Sequence, residues 1–131
     1  MPLDWPVVGS ARHVENLPQG SGYLDEIFRA IRAFSREIGC SRDWLTRAER
    51  TESRAWRLSF LAEARAAWER APAHLDAVGE RLAALGSAES LPPPLDRVHS
   101  NLAVMRADLE KQGEQIGEAE AELADGALGK A

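Results

Sequence analysis

The stretch PLDRVHSNLAVMRADLEKQGEQIGEAEAELA, residues 94–124, decides the fold. Leu95, Val98, Leu102, Met105, Leu109, Gln112, Ile116, Ala119 and Leu123 follow one another at alternating spacings of three and four. That rhythm holds for about four heptads, and it puts every one of these residues on a single stripe of a long helix. Leu95, Leu102, Leu109, Ile116 and Leu123 take the first core position of the heptad, and Val98, Met105, Gln112 and Ala119 the second. Gln112 is the polar exception, and a polar core residue sets register or strand number at a cost in stability. Gly113 and Gly117 each weaken the helix by about 1 kcal/mol relative to Ala, unless a neighbour approaches closely there.

Working towards the N-terminus, Leu91-Pro92-Pro93-Pro94 is a stiff extended hinge, because each proline disfavours helix in the residue before it. Leu75, Val78, Leu82 and Leu85 predict a short helix over 73–85, stopped by Gly86-Ser87. Pro72 breaks or kinks the run before it. Residues 41–70 predict a long second helix capped by Ser41, with one stripe of Leu45, Ala48, Ala55, Leu58 and Ala62 and another of Trp56, Phe60, Ala64, Ala67, Trp68 and Ala71. Leu24, Ile27, Phe28, Ile31, Phe34 and Ile38 predict a first helix over 21–38, ended by Gly39. Residues 1–20 hold Pro2, Pro6 and Pro18 and read as an extended arm, with Leu3, Trp5, Val7, Val8, Val14 and Leu17 as its apolar content.

The expected fold is therefore all-α: an antiparallel bundle or hairpin of about four helices, with a long coiled-coil-like C-terminal helix and an extended N-terminal arm. The arm covers 1–20, the bundle 21–125 with a hinge at 86–94, and a flexible tail 126–131. Composition agrees. The 131 residues fit one domain, and a content of 44% hydrophobic and 28% charged residues suits a packed chain rather than a disordered one. Aromatics are only 6%, and the β-branched residues of a sandwich or barrel are sparse. The single Cys40 excludes an intrachain disulfide framework, and no apolar run reaches the length of a membrane span. The N-terminus has neither the basic stretch nor the apolar block of a secretory signal, so a cytoplasmic location is expected.

Charge is segregated. Residues 1–28 sum to −3, residues 29–70 to +4 and residues 71–131 to −6. A basic middle and an acidic tail can pair within one molecule, between subunits, or with partners of opposite sign.

Candidate chemistry is sparse. His13, His74 and His99 belong to different elements, and no Glu stands three residues before any of them, so a carboxylate-bridged di-metal centre is not expected. Cys40 lacks a nearby histidine in sequence and is expected to be a small buried thiol. No phosphate loop or nucleophile elbow is present, so neither enzyme activity nor a cofactor is expected.

The run Ala33-Phe34-Ser35-Arg36-Glu37-Ile38-Gly39-Cys40-Ser41-Arg42-Asp43-Trp44-Leu45-Thr46-Arg47 resembles the helix-turn-helix of bacterial transcription regulators over about 20 residues. The resemblance implies that Gly39 makes the turn, Ser41 caps the recognition helix, and Arg42, Asp43, Thr46 and Arg47 face the major groove while Arg50 and Arg54 reach phosphates. It departs from that pattern in a second helix that runs on to residue 70. An ordinary helical corner explains the same residues and is preferred.

The functional expectation is a non-enzymatic helical assembly or adaptor subunit. Its partner is another protein or a second copy of itself, and no membrane is involved. The contact residues are Trp5, Leu95, Val98, Leu102, Met105, Leu109, Ile116 and Leu123. The alternative is a DNA-binding regulator that dimerises through the C-terminal helix.

Overall fold

The structure, a computed structural model, describes residues 18–86 and 91–129. All regular elements in them are helices: α1 (Pro18–Arg50), α2 (Arg54–Leu85) and α3 (Pro93–Gly129). At ~1.5 Å per residue each is roughly 50 Å long. The residues Ser41 and Ala64, then Glu37 and Arg70, touch across α1 and α2, so these helices are antiparallel. Arg54 and Leu123, then Trp68 and Leu109, touch across α2 and α3, so α3 returns parallel to α1. The result is an up-down-up bundle. The α1–α2 contact is the most extensive, α3 lies chiefly on α2, and α1 and α3 meet only sparsely.

Three helices rather than about four come from two differences with the sequence reading. The expected stop at Gly39 does not occur: α1 continues through Gly39, Cys40 and Ser41 to Arg50. The reason lies in the phase of the buried residues. Ile27, Ile31, Phe34, Ile38, Ser41, Leu45 and Ala48 are all buried and keep a three-four rhythm across the supposed corner. A turn at Gly39 would throw Leu45 and Ala48 off that stripe. Ser41 is a member of the stripe, not a cap. Likewise α2 runs through Pro72. The proline forfeits one helical hydrogen bond, but Leu61, Ala64, Ala71, Leu75, Val78 and Leu82 stay buried on both sides of it, and Pro72 itself sits half-buried beside the stripe. Burial along more than 30 residues outweighs a local cost of about 3 kcal/mol.

The true reversal falls at Thr51-Glu52-Ser53. Ser53 is the N-cap of α2, its Oγ accepting from the Trp56 N–H at 3.3 Å. Arg57 closes the other side: its guanidinium donates to the Ala48 carbonyl at 3.2 Å and the Thr51 carbonyl at 2.6 Å, serving orphan carbonyls at the end of α1. At the far end, α2 stops at Gly86 as expected, where φ is 138°, a value that side-chain-bearing residues rarely adopt. α3 opens with Pro93 and Pro94 in its first turn, where a missing N–H costs nothing. α1 begins at Pro18 for the same reason, slightly inside the expected arm. The arm's remaining residues, Trp5 among them, lie outside the described residues.

The core is three stacked layers. One end holds Ile27, Phe28, Ile31, Val78, Leu82, Leu91, Leu95 and Val98. The middle holds Phe34, Ile38, Ala71 and Leu75, flanked by Leu102, Met105 and Leu109. The other end holds Leu45, Ala48, Leu61, Ala64, Ile116 and Leu123. Between the last two layers sits a buried polar contact drawn from all three helices. Gln112 Nε2 donates to Ser41 Oγ at 3.0 Å, and Ser41 Oγ donates to the Ala64 carbonyl at 2.8 Å.

Trp68 makes the second inter-helix lock. Its indole N–H donates to the Leu109 carbonyl at 2.7 Å. A Cβ on Gly113 would come within 2.6 Å of that ring, so Gly113 is the close-approach position and the indole takes the place of a side chain. Gly117 and Gly39 meet nothing within 4 Å.

These contacts set expected outcomes for substitution. In thermal or urea unfolding, Gly39→Ala and Gly117→Ala each raise stability by about 0.5–1 kcal/mol, the ordinary mid-helix gain. Gly113→Ala instead lowers it, because the indole cannot yield without losing Leu109. A loss at Gly39 would show that a turn forms there after all. Ser41→Ala leaves the Gln112 amide buried without its partner and costs about 1–3 kcal/mol. Adding Gln112→Leu to it recovers most of that loss in a double-mutant cycle; a purely additive cycle would show that the two residues do not interact.

Candidate interaction surface

The heptad seam of α3 lies where its spacing predicts, facing the other helices. Leu95, Val98, Gln112, Ile116 and Leu123 are buried, and Leu102, Met105 and Leu109 are half-buried against α1 and α2 of the same chain. Seven of the eight residues expected to meet a partner are therefore in contact with this chain's own core. Trp5, the eighth, is outside the described residues.

Of the five nucleic-acid candidates, Arg42, Thr46 and Arg50 are exposed at four-residue spacing on α1, Arg47 is exposed beside them, and Arg54 opens α2. Without a turn at Gly39 there is no short helix to enter a groove. Arg42 and Thr46 border a trough between α1 and α3. The Arg47 guanidinium stacks over the Trp44 ring at 4.8 Å from its centroid. Arg50 ends α1, and Arg54 donates to the Leu123 carbonyl at 3.1 Å.

Two surface features stand out that the spacing did not single out. The first is an aromatic row at the α1–α2 reversal. Trp44 stacks on Phe60 and Phe60 on Trp56, each with ring centroids 5.6 Å apart. Trp56 is 60% exposed. The row lies across two helices, so no stripe on either one reveals it. The expected stripe of Ala55, Leu58 and Ala62 is also on the outside, and Leu58 is 49% exposed.

The second feature is the trough where α1 and α3 part. Arg42, Thr46 and Glu49 line it on α1, and Gln115, Glu118 and Glu122 on α3, over a floor that includes Leu45, Leu61 and Leu123. Its volume, about 730 Å³, falls in the range of small-molecule sites. The polar groups at its floor, however, are already engaged: Gln112 on Ser41, and Arg57 on two backbone carbonyls.

Electrostatics are mostly those of a solvated surface. Arg65 on α2 grips Glu120 on α3 through two hydrogen bonds of 2.7 and 2.6 Å, and lies over the Trp68 ring. The hydrogen bond to Glu120 holds the Arg65 guanidinium above its ordinary pKa. Arg81 pairs with Glu26, and Arg70 grips Glu37 at 2.7 and 3.2 Å. The Arg70 hydrogen bond lowers the Glu37 carboxyl pKa; partial burial opposes it, and the charges of Arg70, His74 and Arg36 add to the lowering. Cys40 is exposed, not buried: on a continuous helix it falls beside the Ile38–Ser41 stripe. Among the described residues no group of three or more His, Cys, Asp or Glu could hold a metal ion, and no helix is long and apolar enough to cross a membrane.

Comparison with known proteins finds no matching family model, no matching curated protein and no matching solved structure.

The Glu37 shift has a consequence in pH. Its folded pKa lies below the ordinary value of 4.5. The Arg70 pair therefore supports the fold fully above that value, and the support fades as pH falls through the lowered folded pKa. Glu37→Gln should be less stable than wild type near neutrality, by a small margin because Arg70 is largely solvated. The two denaturation curves should converge in acid. A gap that stays constant as the pH falls through the acid range would dismiss the pair.

Proposed function

We propose that the chain is a non-enzymatic helical assembly or adaptor subunit that acts by presenting helix surfaces to other protein chains. The observation that carries this reading is the Trp44–Phe60–Trp56 row. Aromatic side chains supply large contact area at low entropic cost and are the commonest anchors of protein interfaces. Three of them, stacked and held by two packed helices, form a preorganised surface. Trp56, its most exposed member, touches solvent over more than half its area. In this reading the coiled-coil-like seam from Leu95 to Leu123 is the frame that holds such surfaces rigid, and the partner contact lies on the outside of the bundle.

The test compares wild type with Trp56→Ala. The exposed position keeps the variant folded, which circular dichroism verifies. The wild-type chain should form an assembly above monomer mass in light scattering, or retain a stoichiometric protein partner. Trp56→Ala should weaken at least one such contact about tenfold or more, the size expected of an anchoring aromatic. A wild-type chain that stays monomeric and holds no protein overturns the reading; so does a Trp56→Ala chain that binds every partner as wild type does.

A further inference from the structure

We infer that one partner is a second copy of this chain, docked over the α1–α3 trough with a twofold axis parallel to the helices. The inference rests on the assembly reading above and deepens it by naming an occupant and a geometry.

The two helices that flank the trough carry exposed charge of mostly opposite sign. On α1 the exposed Arg32, Arg36, Arg42 and Arg50 make a mainly basic surface, of which Arg42 lines the trough itself, beside Glu49. On α3 Asp108, Glu114, Glu118 and Glu122 make an acidic one, half-exposed at Asp108 and exposed at the other three. None of these eight enters an ion pair among the described residues. Asp25, Asp43 and Glu49 on α1 and Arg97 and Lys111 on α3 are exposed charges of the other sign, and Asp25 and Arg97 are 72 residues apart, the separation of the pairs below. Val104, 59% exposed, shares a helix stripe with Asp108, Lys111, Gln115, Glu118 and Glu122. It is apolar surface that a docked chain would cover.

A face with one basic and one acidic edge is complementary to itself. A twofold axis parallel to the bundle carries α1 of one copy onto α3 of the other while keeping their direction, so each basic edge meets an acidic one. The competing twofold, perpendicular to the helices, sets α1 on α1 and α3 on α3, with like charges opposed.

Register supports the same choice. A twofold along the bundle leaves every residue at its own height, so residues level within one chain also meet across the pair. The Ser41–Gln112 bond fixes that level at a separation of 71 residues, and the layers containing Leu45 with Ile116 and Ile27 with Val98 agree. Arg47 and Glu118 have that same separation. Arg36 with Asp108, Arg42 with Glu114, and Arg50 with Glu122 are each one residue further apart. No sliding is needed to bring them opposite one another.

The experiment is sedimentation or light scattering of the full chain at low and high salt, with helical content checked by circular dichroism. Wild type should be a dimer at low salt and dissociate as salt screens the exposed charges. The triple variant Arg36→Glu, Arg42→Glu, Arg50→Glu and the triple variant Glu114→Lys, Glu118→Lys, Glu122→Lys should each dimerise at least tenfold more weakly. Mixed together they should form a one-to-one heterodimer, and the milder Arg42→Glu with Glu118→Lys should repeat the pattern if a triple variant misfolds. Strictly monomeric wild type, self-association that survives charge reversal, or failure of the reversed chains to pair would each overturn the inference. Retention of a monomer on heparin through the same arginines would also overturn it, in favour of a nucleic-acid partner for this edge. A monomer that still loses a protein partner on Trp56→Ala would sink the dimer and leave the assembly reading standing.

Discussion

The vertical placement of three long helices depends on one buried contact. Apolar stripes alone tolerate sliding by a heptad, because Leu, Ile and Val at one level are nearly interchangeable with those at the next. Ser41 and Gln112 are not interchangeable with anything. The amide needs an acceptor inside a dry core, and on α1 Ser41 offers a buried hydroxyl at that level, whereas Ser35 and Thr46 are exposed. Ser41 in turn reaches the Ala64 carbonyl, so the same contact places α2. Trp68 on Leu109, with Gly113 leaving room, pins α3 to α2 nearby. The two locks are close together on α3, and the hydrophobic layers above and below need only fill space around them.

The all-helical class, the position and phase of α3, the stop at Gly86 and the buried role of Gln112 were legible because each depends on local spacing. The helix count was less so. Gly39 reads as a terminator on its intrinsic preference, yet its cost of about 1 kcal/mol is small beside an apolar stripe that continues on either side. With Ser41 as a small stripe residue, Ile38–Ser41–Leu45 is an unbroken rhythm. Pro72 misled in the same way. The real reversal carries neither glycine nor proline. It is made by Ser53 capping and by Arg57 folding back onto carbonyls several residues earlier, and that second contact exists only once the turn has formed.

The surface was harder still to read, for a geometric reason. A stripe is a property of one helix, whereas the Trp44–Phe60–Trp56 row is a property of two helices at one crossing. Twelve-residue spacing along the chain scatters Trp44, Trp56 and Trp68 around the helix, and nothing in it shows that the first two converge through Phe60 while the third turns inward. The same holds for the seam of α3. Its periodicity establishes that it must be covered, but it is silent on whether the cover is another chain or this one. Here α1 and α2 cover it.

Charge segregation then takes on a different meaning from the one composition suggests. The basic middle and acidic tail do meet inside the chain, at Arg65 with Glu120, and within the acidic segment itself Arg106 lies near Asp76. Both contacts lie between α2 and α3, the pair of helices in direct apposition. Between α1 and α3, where the helices part, exposed arginines and carboxylates remain on opposite sides of the trough. Closing the trough within one chain would bring them together, but α1 and α3 are each held at a fixed height and orientation by α2 and by the Ser41–Gln112 contact. A frame held in this way keeps those charges apart inside the molecule, and under the proposed pairing it sets the level at which a second copy meets them.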